Sequence, residues 1–306
     1  MDPRFNDYLH ARRAEIEAAL AAVLPSPPDC PAIVADAMKY SLTAGGKRLR
    51  PILCLASAEA VGGDRAEAMP AACAIELIHT YSLIHDDLPA MDNDTMRRGR
   101  PTLHVVVGEG MAILAGDGLL TEAFALMARA PESSDPVVCT RKLHVIGVVA
   151  RAAGACGMVG GQALDLAGGA STAQEPPTPM TADELRAMHA RKTGALIRAA
   201  AVAGGVMGGG DDRVIAGIDL AATELGLAFQ IIDDILDVEG APGTLGKTTG
   251  KDAAAGKATY PALYGVSTAR AMAAACLDRA ERHLEAVRLG DSRLMDIGRW
   301  IVDRSN

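Results

Sequence analysis

The sequence "AMPAACAIELIHTYSLIHDDL" at residues 68–88 is a long apolar run that ends in two adjacent aspartates. Alanine, leucine and isoleucine in such a run are compatible with a helix, and a proline directly after it cannot continue one. The run therefore predicts one long apolar helix from about Ala66 to Leu88, closed by Pro89.

The composition of the chain extends this prediction beyond one helix. Of the 306 residues, 49 % are hydrophobic but only 3 % are aromatic, which favours packed helices over a β-sandwich. Further helices are predicted at 5–24, 33–43, 108–130, 136–168 and 212–238. Two more are predicted to begin at the sequence "KRLRP" and at the capping box Thr181-x-x-Glu184. Loops are predicted at 168–180 and 239–261, and no convincing strand pair is found. The fold class is therefore all-α, with about ten helices in a single-domain bundle over residues 1–306.

Charge and cysteine content exclude several classes of protein. The net charge of −8 argues against nucleic acid as a general partner. The six cysteines show no CxxC spacing, so we expect neither a zinc site nor a disulfide framework, but reduced thiols and a cytoplasmic location. The charged N-terminus lacks the apolar core of a signal peptide, and uncharged apolar runs such as 199–210 fall short of a membrane span.

An acidic cluster, "DDLPAMDND" at 86–94, follows the first helix. Two carboxylates about 4 Å apart repel by roughly 4 kcal/mol at an effective dielectric constant near 20, so the cluster requires cations. Asp92 lies six residues after Asp86, a spacing that an unbroken helix would direct elsewhere. We expect the Pro89-Ala90 step to bend the chain so that Asp92 returns toward Asp86.

A second acidic cluster, "QIIDDILD" at 230–237, lies inside a predicted helix. At about 100° per residue, Gln230, Asp233, Asp234 and Asp237 share roughly one third of the helix circumference. A carboxylate patch on an otherwise apolar helix is costly to bury without a cation, and hard oxygen ligands favour magnesium, manganese or calcium. Two acidic helices that face each other could hold several magnesium ions, bridged by a phosphate-rich ligand.

Four basic groups supply the anion-binding side: "GGKRLRP" (45–51), "RRGR" (97–100), "RKTG" (191–194) and the lysines of 246–257. "GGKRLRP" is not a Walker A loop, because the residue after its lysine is not serine or threonine. Each group alone is ordinary protein surface, but both acidic clusters accompanied by basic groups favour a metal–phosphate site. His79, seven residues before Asp86, shares its helix face and is therefore expected to face the ligand.

The motifs "GGKRLRP", "HTYSLIHDDLPAMDND", "RRGRPT", "GGQALDL", "KTG" and "FQIIDDILD" occur together in this order. In this the chain resembles the trans-prenyl diphosphate synthases, most closely the bacterial-type farnesyl diphosphate synthases, over nearly its whole length. The resemblance implies an isoprenoid synthase fold around a deep central cavity, usually in a homodimer. It also implies a magnesium-dependent prenyltransferase that condenses isopentenyl diphosphate with dimethylallyl or geranyl diphosphate, giving farnesyl diphosphate and pyrophosphate.

The resemblance implies a role for each matching residue. Asp86, Asp87 and Asp92 would bind two Mg²⁺ ions, and Asp233, Asp234 and Asp237 a third, with Mn²⁺ as a substitute. The allylic diphosphate would be held by Arg97, Lys192, Thr193, Gln230, Lys247 and Lys257, and isopentenyl diphosphate by Lys47, Arg50, His79 and Arg98. Asp86, Asp92, Lys192, Asp233 and Lys257 would be catalytic. Tyr81 and Ser82 would determine product length: Tyr81 would form the floor of the pocket, while Ser82 lies closer to the face of Asp86.

Other functions are compatible with parts of this pattern. A geranylgeranyl diphosphate synthase would use the same mechanism and differ in the mass of its product. A class I terpene cyclase shares an acidic magnesium cluster but needs no second diphosphate site, so Lys47, Arg50 and Arg98 argue against it. A non-catalytic partner subunit or a simple acidic metal-binding module is disfavoured because both acidic motifs are intact.

Overall fold

The structure, a computed structural model, describes residues 3–169, 180–239 and 258–304. Within that part the helices are α1 (Pro3–Val23), α2 (Ala32–Leu42), α3 (Leu49–Ala60), α4 (Arg65–Asp86), α5 (Leu103–Val107), α6 (Glu109–Arg129), α7 (Pro136–Ala153), α8 (Met158–Gly169), α9 (Ala182–His189), α10 (Ala195–Met207), α11 (Asp212–Glu239), α12 (Tyr260–Tyr264), α13 (Val266–Ala286) and α14 (Arg293–Asp303). A short π-helical segment, Ala190–Gly194, joins α9 to α10. The described residues therefore confirm the all-α fold class.

The core of the bundle lies around α4 and α10. Helix α4 packs against α3, α6 and α10, while α10 also packs against α7 and α11. Within α10, every residue after Ala195 is buried except Arg198. A helix that is apolar on nearly all faces must be surrounded by other helices, which explains its central place.

Two local predictions are confirmed closely. Helix α4 spans Arg65–Asp86, and the side chain of Asp64 caps it by accepting a hydrogen bond from the backbone N–H of Ala66. The capping box at the start of α9 is also present, with Thr181 and Glu184 each accepting from the other's backbone N–H. Both signals act within one helical turn, so they can be read from sequence alone.

The predicted helix at 136–168 is wrong as a single element, because the chain breaks between α7 and α8. A β-carbon at Gly157 would lie 2.1 Å from the carbonyl oxygen of Ala152, so only glycine fits this tight turn. The helix predicted from Thr181 onward is likewise interrupted by the π-helical segment Ala190–Gly194. These breaks give more helical segments than the predicted number.

Two further differences concern short elements. Met96–Arg97 and Arg100–Pro101 form a small antiparallel pair, β1 and β2, where no strand pair was predicted. Its turn residues Arg98 and Gly99 have positive φ angles of 52° and 73°, as a two-residue hairpin of the I′ type requires. Tyr260 and Pro261, predicted as loop, begin the short helix α12.

Three stretches of the described chain are long and apolar enough, by length and composition, to cross a membrane: Glu109–Arg129, Pro136–Gly168 and Asp212–Glu239. Each of them contains charged residues, so uncharged runs alone did not reveal it. In the fold α6 packs against α4 and α2, and α11 packs against α10 and α13. The absence of a membrane span stays a prediction.

Candidate active site

The chain turns back sharply at the end of α4. The backbone N–H of Asp92 donates to the carbonyl oxygen of Asp86 at 2.8 Å, and that of Asn93 donates to Leu88 at 3.1 Å. These hydrogen bonds close the loop around Pro89 and confirm the predicted bend. As a result Asp86 and Asp92 line the same cavity.

The adjacent aspartates Asp86 and Asp87 have different surroundings. Asp87 is 3 % exposed, and Arg97 donates to both its oxygens through Nε at 2.8 and 2.9 Å. Burial raises the pKa of Asp86 to about 6; the opposing charge of Lys192 lowers it, while the like charges of Asp92 and Asp87 raise it further. Its negative charge is therefore poorly compensated in the protein alone, as expected of a carboxylate that receives a cation.

The β1–β2 hairpin contains two arginines that bind different partners. Arg97, on β1, holds Asp87, and its Nη2 lies 2.6 Å from Asp87 Oδ1. Arg98, at the turn, donates through Nη1 to the carbonyl oxygen of Gly45, so it links the hairpin to the "GGKRLRP" segment. Burial lowers the pKa of Arg98, with the guanidinium groups of Arg48 and Arg97 contributing.

The second acidic cluster lies on α11 as predicted, but its carboxylates differ in solvent exposure and in hydrogen-bond partners. Asp234 is 4 % exposed and accepts hydrogen bonds from Gln230 Nε2 at 2.9 Å and from the backbone N–H of Tyr260 at 3.0 Å. The Asp233 side chain is 45 % exposed, and its Oδ1 lies 2.5 Å from Nη2 of the buried Arg304. Asp237 lines a cavity together with both of them.

Lys192 lies in the π-helical segment, where the wider turn carries it and Thr193 to the cavity wall. Single π-turns of this kind are frequent at functional sites. The Nζ of Lys192 lies 2.5 Å from Oδ2 of Asp165 on α8, whose side chain is 10 % exposed. Asp165 thus fixes the position of the ammonium group.

The "GGKRLRP" segment is held by its middle arginine. Arg48 has a positive φ of 51° and its guanidinium group is completely buried, with Nη1 2.7 Å from Glu76 Oε1 and Nε 2.7 Å from Glu17 Oε1. This anchor explains the buried Glu76 on α4. It leaves Lys47 and Arg50, on either side of Arg48, at the cavity.

Lys47, Arg50 and His79 have lowered pKa values, because each is buried near other positive charges. Burial lowers the pKa of Arg50, and burial together with the nearby Arg304 lowers the pKa of Lys47. Burial and the neighbouring arginines hold the pKa of His79 well below its usual value, so its imidazole is neutral near pH 7. Such a set of cations is stabilised when an anion binds among them.

Two adjoining cavities contain these side chains. The first has a volume of about 570 Å³ and combines Asp86, Lys192 and Thr193 with apolar residues of α4 and α8. The second has a volume of about 670 Å³ and is lined by Lys47, Arg48 and the α11 carboxylates. Their shared lining residues are Arg50, His79, Asp92, Arg98, Lys192, Phe229 and Asp233. Both cavities therefore combine carboxylates with cationic side chains, and the first also has an apolar extension.

The structure brings the predicted site residues together with one difference in placement. Those lining one or both cavities are Lys47, Arg50, His79, Tyr81, Ser82, Asp86, Asp92, Arg97, Arg98, Lys192, Thr193, Gln230, Asp233, Asp234 and Asp237. Asp87 instead lines a small space of about 40 Å³ behind the first cavity, where it meets Arg97. Lys247 and Lys257 lie outside the described residues.

Several site residues were not predicted, and four of them carry polar or charged groups that bear on the chemistry. Asp165 holds Lys192, and the buried amide of Gln162 lines the first cavity without a hydrogen-bond partner among the described residues. Arg13 of α1 and Arg304 line the second cavity. The motif "GGQALDL" was a usable signal for Gln162 and Asp165. For the two arginines, which lie near the chain ends and outside the quoted motifs, the sequence offered none.

The carboxylates do not by themselves enclose a metal ion. Within residues 3–169, 180–239 and 258–304, no three Asp, Glu, His or Cys side chains come close enough together to bind one. Mg²⁺ usually binds one or two protein carboxylates and completes its coordination with water and substrate phosphate. The open Asp86 and Asp92 on one side, and Asp233 and Asp237 on the other, fit that mode of binding.

Comparisons with known proteins agree with this geometry. The family model described as polyprenyl synthetase matches residues 31–288. The farnesyl diphosphate synthase of Geobacillus stearothermophilus is 45 % identical over 299 residues, which cover 98 % of this chain and 97 % of that protein. The putative geranylgeranyl pyrophosphate synthase 8 of Arabidopsis thaliana is 48 % identical over 273 residues, covering 89 % and 74 %.

A solved structure gives the same result for the fold. The apo crystal structure of an FPP/GFPP synthase from Zymomonas mobilis superposes with a TM-score of 0.85 at 36 % identity, covering 99 % of this chain and 100 % of that one. The resemblance inferred from the motifs is therefore confirmed, since sequence and structure agree over nearly the full length. The chain belongs to the polyprenyl synthetase family.

Proposed function

We propose that this protein condenses isopentenyl diphosphate with dimethylallyl and geranyl diphosphates to give farnesyl diphosphate and pyrophosphate. One observation carries the proposal: two adjoining cavities share Lys192, Asp92 and Arg50, and among the described lining residues the first cavity is the more apolar of the two. A reaction that joins two diphosphates needs two anion sites side by side, with an apolar space for the growing chain. The printed name of the Geobacillus stearothermophilus relative, farnesyl diphosphate synthase, supports the same reaction.

The carboxylates would hold three Mg²⁺ ions, for which Mn²⁺ can substitute. Asp86 and Asp92 would contribute to two of them, and Asp233 with Asp237 to the third. Asp87 would support Asp86 from behind through its pair with Arg97, and Asp234 would support Asp233 from its buried position. When bound, the metal ions neutralise charge on the diphosphate leaving group.

At the allylic site, the protein's own groups favour ionisation of the carbon–oxygen bond. The ammonium group of Lys192, fixed by Asp165, stabilises the negative charge that grows on the departing diphosphate. Arg97 would add to this field, as would Lys247 and Lys257. The Thr193 hydroxyl offers a dipole to the allylic cation from the first cavity. The Gln230 amide oxygen would offer another from the adjoining second cavity, since Gln230 already uses its Nε2 to donate to Asp234.

At the second site, Lys47, Arg50, His79 and Arg98 would hold isopentenyl diphosphate beside the allylic carbon. Its double bond attacks the allylic cation to form the new carbon–carbon bond, and the adduct then loses one proton. A neutral His79 with a strongly lowered pKa is a poor base, so the pyrophosphate formed in the first step accepts the proton. The apolar wall excludes water from the cation.

A single assay tests the proposed function. Purified protein, Mg²⁺, isopentenyl diphosphate and each allylic diphosphate in turn are incubated, and the products are separated by chromatography. We expect farnesyl diphosphate, with one pyrophosphate released for each carbon–carbon bond formed. Hydrocarbons formed from an allylic diphosphate alone would support a cyclase instead. If no product formed with any of the primers, a catalytic role would be contradicted.

Product length is expected to depend on Tyr81, since a change to alanine should open the cavity beneath the growing chain. Tyr81 is 7 % exposed, lines the first cavity and packs edge-on against His85 with ring centroids 5.4 Å apart. Tyr81→Ala should shift the product to twenty carbons or more at similar turnover, as measured by chromatography of the dephosphorylated alcohols. Ser82→Ala is the matched control, because Ser82 lines the same cavity but its small hydroxyl already donates to the backbone carbonyl oxygen of His79.

Two outcomes would contradict this role of Tyr81. If Tyr81→Ala left the product length unchanged, the floor of the cavity would lie elsewhere. If the wild-type protein made geranylgeranyl diphosphate, the alternative assignment would replace the farnesyl product. The Arabidopsis relative, named as a putative geranylgeranyl pyrophosphate synthase, shows that both products are associated with this family.

We also propose that the protein is a cytoplasmic homodimer. All six cysteines are free thiols, which suits a reducing compartment. The neighbouring helices α6 and α7 expose large apolar side chains, including Leu114 at 54 % and Leu143 at 71 %. Sedimentation should give twice the chain mass of 31.6 kDa, and Leu114→Asp with Leu143→Asp should give the monomer. A monomeric wild-type protein would contradict the dimer, and export of the protein from the cytoplasm would contradict the location.

A further inference from the structure

Arg304 follows directly after α14 and reaches across to α11. Its Nη2 donates to the carbonyl oxygen of Phe229 at 2.8 Å and lies 2.5 Å from Oδ1 of Asp233, which is one helical turn further along α11. The central carbon of its guanidinium group lies 4.0 Å from the centroid of the Phe229 ring. The buried Arg304 is therefore held in one place by three contacts with α11.

The carboxylate that Arg304 binds is one of those that fit a divalent metal ion. Asp233 lines both cavities, and Arg304 lines the second of them beside Lys47. Apart from burial, the charge of Arg304 lowers the pKa of Lys47, and the charge of Asp233 raises it. Lys47 and Arg304 thus both lie within the field of one carboxylate. A divalent ion at Asp233 would add positive charge where two cations already share that carboxylate.

The pair of Arg97 and Asp87 shows a different arrangement. There the acid is the more buried partner, with its side chain 4 % exposed, and it lies behind the first cavity. In the pair of Arg304 and Asp233 the arginine is the buried partner, while the acid is open to both cavities. The Arg304 contact therefore engages a carboxylate that an incoming cation can also reach.

We propose that Arg304 is an internal cation that competes with the divalent metal ion for Asp233, so that this carboxylate binds metal weakly until a diphosphate is present. The inference rests on the proposed function, because that function assigns Asp233 to a metal ion. A diphosphate brings negative charge that offsets the charge of the metal, so the two ligands would bind together. Coupling of this kind is reciprocal, and metal at Asp233 therefore weakens the hold of α11 on Arg304 by the same factor.

The test is the binding of Mn²⁺ alone to the purified protein, measured without any diphosphate by electron paramagnetic resonance of the free ion. Arg304→Gln removes the charge but keeps an N–H donor for the carbonyl oxygen of Phe229. We expect it to tighten Mn²⁺ binding at Asp233 roughly 5- to 150-fold, the usual range for coupling between two sites. Arg304→Lys keeps the charge and should bind Mn²⁺ as the wild type does. In an Asp233→Asn background, Arg304→Gln should have no effect.

Arg299→Gln is the matched control, because Arg299 lies on α14 and its exposed side chain pairs with Glu281 and Asp296. Circular dichroism and the Tm of each variant check the fold. Unchanged Mn²⁺ affinity in Arg304→Gln would overturn the inference, as would an equal gain in Arg304→Lys or Arg299→Gln. A gain that persists with Asp233→Asn would also overturn it. These measurements need no turnover, so a wild-type protein without condensing activity would overturn the proposed function and leave the binding result intact.

Discussion

Asp86→Asn is expected to lower kcat by at least roughly 10²- to 10³-fold, the loss seen when one preorganised electrostatic contact to a transition state is removed. Asparagine keeps the shape of the side chain but provides no negative charge for a divalent cation. Asp233→Asn should act similarly from the opposite side of the cavity. Steady-state kinetics at saturating Mg²⁺ measure the effect. Adding a chelator to the wild-type protein should abolish its activity.

The same substitution should not destabilise the metal-free protein. Burial raises the pKa of Asp86 to about 6, which shows that the fold disfavours its charged form. A neutral asparagine removes that unfavourable charge, so the Tm at pH 7 without metal should stay equal or rise. Asp117→Asn is a suitable control, because Asp117 is a nearby carboxylate with a 59 % exposed side chain. Near-normal turnover of Asp86→Asn would show that the metal assignment is wrong.

The features that could be predicted correctly depend on local interactions. The end of α4, the return of Asp92 and the capping box at Thr181 each depend on side chains and backbone within a few residues. The acidic face of α11 follows from helical periodicity alone. These features could be predicted because proline, capping residues and the helical repeat act on the chain before it packs.

The features that were missed depend on partners distant in sequence. Asp165 contacts Lys192, 27 residues later, and Arg304 contacts Asp233 across 71 residues. The π-helical segment at Ala190–Gly194 is a further example, because Gly194 packs closely against α11, where a β-carbon at Gly226 would lie 3.2 Å from it. Without the packed bundle, no periodic signal distinguishes this segment from an ordinary helix.

The distinction between Asp86 and Asp87 shows the same limit at the level of a single pair. In sequence the two residues are equivalent members of one motif. In the structure, Arg97 of the β1–β2 hairpin binds Asp87, while Asp86 lines the main cavity. Since that hairpin was not predicted, the sequence could define the acidic group but not the placement of each carboxylate.

Lys192→Ala is the second change with a large expected effect, and it should lower kcat while leaving the KM for isopentenyl diphosphate nearly unchanged. The ammonium group acts on charge that grows as the carbon–oxygen bond breaks, so its loss reduces stabilisation of the transition state. A loss of roughly 10²- to 10³-fold in kcat is expected for one such contact. Arg191→Ala is the matched control, because Arg191 is the adjacent, exposed arginine, and its Nη1 donates to the backbone of Ala187.

Arg50→Ala gives the opposite pattern and so tests whether the two diphosphate sites are separable. Arg50 lies in the basic set with Lys47 and His79, and its contact with isopentenyl diphosphate would be made equally in the bound and transition states. Removing such uniform binding raises KM and leaves kcat largely intact. Kinetics with each substrate varied in turn should therefore show a turnover defect for Lys192→Ala and a KM defect specific to isopentenyl diphosphate for Arg50→Ala. Equal effects of both changes on both substrates would refute the division, because the two cavities would then act as one undivided anion site.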